Sequence, residues 1–188
     1  MIKSRFLKTL IIAAAVFCTA FFLCGALKQD YSQAITAAPK PTPTVYNEPL
    51  PADENLRGEN PADIVESAQA WCDTYSPYSY GASGSDGPGS AVDCSAFTQS
   101  VYEELGISIP RVSYDQAEVG EQIDYTPGDY SNLLPGDLVI MNNYGHCGIY
   151  AGDGMVIHAS SAGGKVIKVP ISSFSNSFIN EIRRVIPE

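Results

Sequence analysis

Basic residues are scarce in this chain: 11 lysines and arginines stand against 21 aspartates and glutamates, a net charge of −10 over 188 residues. Lys3, Arg5, Lys8 and Lys28 lie in or beside an N-terminal apolar stretch, so only seven basic residues remain for everything that follows. That balance argues against a nucleic-acid partner, whose phosphates demand clustered Lys and Arg. Histidine is rarer still, with His146 and His158 the only two. The five cysteines lack the closely paired spacing of a zinc finger. No internal repeat is present.

The apolar stretch runs from Thr9 to Leu27 without a charge, preceded by three basic residues and followed by Lys28 and Asp30. This arrangement keeps the N-terminus in the cytoplasm and exports the rest. At ~1.5 Å per residue the stretch is about long enough to cross a bilayer, so residues 1–28 read as either a signal peptide or a retained signal anchor. Cys24-Gly25-Ala26 and Ser32-Gln33-Ala34 are poor cleavage sites, and a bulky residue precedes both Cys18 and Cys24, which disfavours lipidation. Residues 29–59 shift to Ala, Thr, Pro, Asn and Glu, with Pro39, Pro41, Pro43, Pro49 and Pro51 breaking any helix. They read as an extended linker to a single domain over 60–188.

That domain opens with a helix signal: Asn60 as cap, Pro61 at the first helical position, then Ile64, Val65, Ala68, Trp71, Cys72 and Tyr75 at helical spacing. A second helix follows the glycine-rich loop 81–90, with Phe97, Val101 and Leu105 as its buried stripe and an end near Gly106. Ser113 is placed to cap a short third helix through Glu118. Strand signals occupy 137–141, 147–151, 155–159, 165–169 and 178–186, the second and third joined by the hairpin turn Gly152-Asp153-Gly154. Helices first and antiparallel strands after make an α+β domain with a sheet of about five strands.

Cys94 is the natural candidate for chemistry. It falls in the first turn of the second helix, where unpaired amides and the helix dipole favour a thiolate. The alternative is a buried small hydrophobe, the usual fate of a free cysteine. His146 and His158 tip the balance, because adjacent antiparallel strands bring both imidazoles to one sheet face. A thiol, an imidazole that takes and returns its proton, and a third polar group that orients the imidazole are the parts of a cysteine peptidase. Cys94, His146, Cys147 and His158 also make a nominal metal-ligand set. Strand alternation directs Cys147 away from His146 and from the Cys94 helix, so neither a metal nor any other cofactor is expected. Cys72 and Cys147 read as core thiols rather than a disulfide.

Six motifs in order, Pro77-Tyr78-Ser79-Tyr80-Gly81, Asp93-Cys94-Ser95-Ala96-Phe97, Ile109-Pro110-Arg111-Val112-Ser113, Leu134-Pro135-Gly136-Asp137-Leu138-Val139, His146-Cys147-Gly148-Ile149-Tyr150 and Val156-Ile157-His158-Ala159, resemble the NlpC-type peptidases of the bacterial cell wall. The resemblance covers about residues 60–188 and implies a papain-like fold. It implies Cys94 as nucleophile, His146 as base and acid, and His158 as the group that fixes the His146 tautomer. Tyr80 resembles a tyrosine bordering the active site, with a packed aromatic as the alternative. Asp93 and Ser95 resemble a pair that binds the polar end of the substrate peptide, and both also suit a helix cap.

The implied substrate is the peptidoglycan stem peptide, cut at the bond from γ-D-glutamate to the diamino acid. The alternatives are an amidase or cross-bridge endopeptidase of the related CHAP group and a non-catalytic wall-binding relic. A monomer is expected, touching membrane only through its N-terminal segment.

Overall fold

The structure, a computed structural model, describes residues 60–175 and 178–186. The expected signal segment at 1–28 and the whole of the linker at 29–59 lie outside the described residues. Among the described residues no helix is long and apolar enough to cross a membrane.

Helix α1 spans Pro61–Asp73, with the Asn60 side-chain oxygen accepting from the Ala62 amide at 3.0 Å. Ile64, Ala68 and Trp71 form its buried face, while Val65 and Cys72 are half-buried. Tyr75, assigned from its spacing to the same stripe, lies past the helix end and is 67% exposed. Helix α2 spans Cys94–Glu104 and is capped by Asp93, whose carboxylate accepts from the Ala96 amide at 2.8 Å. It packs on α1 through an edge-on contact between Trp71 and Phe97. Gly106, at φ 80°, turns the chain out of the helix in the left-handed region that glycine adopts without cost.

Helix α3 is a single turn, Ser113–Gln116, shorter than the expected run to Glu118. Val112 holds the cap position, and the Ser113 hydroxyl instead donates to the Tyr144 carbonyl at 2.7 Å. That hydroxyl ties two loops together rather than starting a helix.

Six strands follow: β1 Glu121–Ile123, β2 Leu138–Met141, β3 His146–Tyr150, β4 Met155–Ser160, β5 Lys165–Pro170 and β6 Ile179–Arg184. They form one antiparallel sheet in the order β1-β6-β2-β3-β4-β5. β1 is additional to the five expected strands. It is three residues long and largely exposed, and it is defined by pairing Glu121 with Arg184 and Ile123 with Ile182.

Strand alternation sorts the sheet into two faces. Leu138, Ile140, Cys147, Ile149, Ile157 and Ala159 face α1 and α2. Val139, Met141, Tyr150, Val156 and Ile182 face the other way, covered by Leu133 and by Ile171 of a short 3₁₀ turn. The buried Asp137 anchors the loop before β2 by pairing with Arg184 of β6 at 2.9 Å and accepting from the Leu134 amide. The result is an α+β domain whose helix layer lies against one face of the sheet, with the start of α2 beside the start of β3.

Candidate active site

Cys94 is the first residue of α2 and is 9% exposed, at the floor of an open cleft of about 450 Å³. His146 is the first residue of β3, near enough to the Cys94 thiol for its charge to bear on it. Behind it, His146 Nε2 lies 2.8 Å from His158 Nδ1, the two rings edge to face with centroids 5.0 Å apart. His158 is buried, and Phe174 packs edge-on against its ring.

Gly148 permits this approach, since a Cβ there would sit 2.9 Å from the His158 Cβ and 2.8 Å from the Ile157 carbonyl oxygen. The turn before His146 is unusual: Asn142, Asn143 and Tyr144 have φ of 54°, 54° and 65°, three successive residues in the left-handed region. Bonds from the Asn142 amide to the Phe178 carbonyl and from the Tyr144 amide to Asn180 Oδ1 hold it.

The Cys94 thiol is drawn down to about 5. A hydrogen bond from Cys147 is the largest cause; burial opposes it, the bond and charge of His146 lower it further, and the Asp93 charge opposes. Burial and the His146 charge push His158 down to about 4, so its ring is neutral near pH 7. A neutral His158 accepting at Nδ1 requires its own proton on Nε2, and it fixes a proton on His146 Nε2. The remaining His146 nitrogen is then the one free to exchange a proton with a neighbouring group. The arrangement can hold a thiolate against an imidazolium.

Cys147 departs from expectation. Alternation does place it opposite His146, but its own face is the helix face. Fully buried, it shares the core cluster of Cys94 and lies 3.5 Å from Thr98 Oγ1. His146 opens its strand at the end of the sheet, where a ring is not confined to one face. Cys72, Cys94 and Cys147 are free thiols, Cys72 only half-buried. Among the described residues no cluster of three or more His, Cys, Asp or Glu side chains is placed to hold a metal.

Tyr80 lines the cleft at its rim and is 92% exposed. Tyr78, quoted in the same motif without a role, lies deeper. Burial and then the charges of Cys94 and Asp93 raise its pKa.

Asp93 and Ser95 line the cleft too, but both are tied to Arg111, which sequence reasoning left without a role. The Arg111 guanidinium grips both Asp93 oxygens, at 3.0 and 2.7 Å, and donates to Ser95 Oγ at 2.9 Å and to the Ala82 carbonyl at 3.1 Å. Asp93 also accepts from the amides of Gly81 and Ala96. Burial opposes its ionisation, yet Arg111 and those amides leave its pKa below the usual carboxylate value. The signal available in the sequence was an arginine after a proline in a chain with few basic residues.

This fold and site define a papain-like arrangement of cysteine helix and histidine-bearing sheet, and comparison with known proteins gives it a family. The NlpC/P60 family model matches residues 75–184, more than half of the chain, and the chain belongs to that family. A probable endopeptidase of Corynebacterium glutamicum is 40% identical over 105 residues, covering 55% of this chain and 44% of that protein. The Escherichia coli K12 protein named murein DD-endopeptidase MepS/murein LD-carboxypeptidase is 35% identical over 99 residues, half of each chain. The chain thus spans about half the length of the curated relatives it matches. A crystal structure of an NlpC/P60 family protein from Bacillus cereus superposes with a TM-score of 0.57 at 26% identity, over 68% of this chain and 41% of that one.

Proposed function

We propose that the protein is an exported cysteine endopeptidase of peptidoglycan, cutting the stem peptide between γ-D-glutamate and the diamino acid. The observation that carries the reading is the pair of imidazoles His146 and His158, 2.8 Å apart, beside a Cys94 thiol at a helix start that is drawn toward its anion. In this mechanism the Cys94 thiolate attacks the carbonyl carbon of the scissile amide, forming an S–C bond. The developing oxyanion is met by the Cys94 backbone N–H, at a helix start where amides have no partner within the helix. The C–N bond breaks as His146 gives its proton to the leaving amine. Water then attacks the thioester, the C–S bond breaks, and the water proton restores the imidazolium. His158 keeps the His146 ring in one tautomer throughout. Asp93, Ser95 and Arg111 form a polar floor, with Tyr78 and Tyr80 along one side, for the polar end of the peptide.

A cut at a D,D cross-link is the second reading, favoured by the name of the E. coli relative. Both are amide hydrolyses and need the same three side chains; the cleft decides the bond. Residues 1–28 are proposed to hold the protein in the membrane, with 29–59 as the tether and 60–188 as the catalytic domain on the wall side.

Digestion of purified peptidoglycan by the full chain, with mass analysis of the fragments, tests the reading. Fragments with a new γ-D-glutamate carboxyl and a diamino acid amine are expected. Release at the cross-link selects the second reading, release at the sugar–peptide junction an amidase, and no release a binding relic.

A further inference from the structure

Gln116 closes the single turn of α3 as a fully buried polar side chain that the proposed chemistry does not touch. A buried amide is costly unless each of its groups has a partner, and here each has one. Gln116 Nε2 donates to the Ser95 carbonyl at 2.9 Å and to the Pro110 carbonyl at 2.8 Å. Those two carbonyls fix the orientation of the amide, because the reverse orientation would set its oxygen against both. Gln116 Oε1 is left to accept, and the Thr98 hydroxyl donates to it at 2.8 Å. One side chain thus joins the first turns of α2 to the segment that leads into α3.

What it holds there is the peptide that carries Arg111. Residues 107–110 have no regular secondary structure. Side-chain amides take their carbonyls instead: Gln99 Nε2 donates to Ile109 at 2.8 Å, and Gln116 Nε2 to Pro110 at 2.8 Å. Pro110 has no N–H, so its carbonyl is the only main-chain group through which it can be held. At the other end of the bridge, Ser95 is the residue whose hydroxyl accepts from Arg111. We infer that Gln116 is a positioning residue for Arg111: its buried amide fixes the Pro110–Arg111 peptide to the Ser95 turn and so aims the guanidinium at Asp93 and Ser95 on the cleft floor. A planar fork that meets two carboxylate oxygens, a hydroxyl and a carbonyl at once tolerates little rotation of the peptide it grows from.

The effect on turnover rests on the proposed cleft, but the arrangement itself is read without substrate. In nuclear magnetic resonance of the full chain with isotope-labelled arginine and glutamine, the Arg111 Nη protons should appear as separate, slowly exchanging signals. Gln116→Met keeps the volume of the side chain, loses its hydrogen bonds and should merge them. Separate, unmoved Arg111 signals in folded Gln116→Met overturn the inference. Should that variant not fold, Arg111→Lys decides from the other side: it should shift the Gln116 Nε2 signals, which in the unsubstituted protein are protected from solvent exchange. Gln116 signals that ignore Arg111→Lys overturn the inference equally. With muropeptide as substrate, Gln116→Met should raise KM about tenfold and leave kcat within about threefold. In an Arg111→Lys background the same change should add less than about twofold to KM, since no fork is left to aim. Full additivity, or a loss confined to kcat, contradicts the role. Absence of cleavage by the unsubstituted protein refutes the peptidase reading and leaves the resonances to decide the inference.

Discussion

At the residue scale the proposed mechanism gives the two imidazoles different duties, and substitution separates them. His146→Ala removes the group that moves the proton and should lower kcat/KM by about 10²–10⁴-fold. His158→Gln or His158→Asn keeps an amide able to accept from His146 Nε2 and should retain more activity than His146→Ala, checked by muropeptide turnover. Equal loss in the two classes would remove the distinction.

The same His158 makes stability depend on pH. Its folded pKa of about 4 lies below the ordinary 6.5, so between those values the unfolded chain binds a proton that the native protein excludes. Stability therefore falls as the pH drops through that window, by up to about 3 kcal/mol. Urea unfolding at pH 7 and pH 4 should show the loss, and His158→Gln should reduce it.

At the element scale the turn 142–144 is the strained piece on which His146 is mounted. Left-handed backbone costs roughly 1–2 kcal/mol for an ordinary residue, and asparagine tolerates it better than most. Asn143→Gly should leave the melting temperature nearly unchanged, whereas Asn143→Val should lower stability by about 1 kcal/mol or more. Calorimetry distinguishes the two.

Elements with long patterns were legible in the sequence: α1 from its Asn-Pro cap and apolar stripe, the β3–β4 hairpin from its glycine turn. β1 was not, because three residues of Glu-Gln-Ile carry no alternation and are defined by their pairing to β6. Alternation correctly opposed Cys147 to His146 but gave no sign of which face meets the helix. Arg111 escaped because its partners, Asp93, Ser95 and Ala82, are distant in sequence and meet it only in the fold.

For the whole molecule, the proposed reading assigns catalysis to the acidic domain and placement to the basic-then-apolar N-terminus. The proposed anchor predicts that a C-terminally tagged full chain fractionates with membranes at intact mass. A soluble form beginning near Leu27 or Ile35 would replace the anchor with a cleaved signal.

The central claim is covalent catalysis by Cys94, and acid quenching of the protein early in its reaction with muropeptide measures it most directly. Intact-mass and peptide analysis should find a thioester adduct on the peptide containing Cys94, with the mass of the amino-terminal part of the stem peptide, and Cys94→Ala should give neither adduct nor cleavage. Cleavage that persists in a folded Cys94→Ala protein would contradict the account.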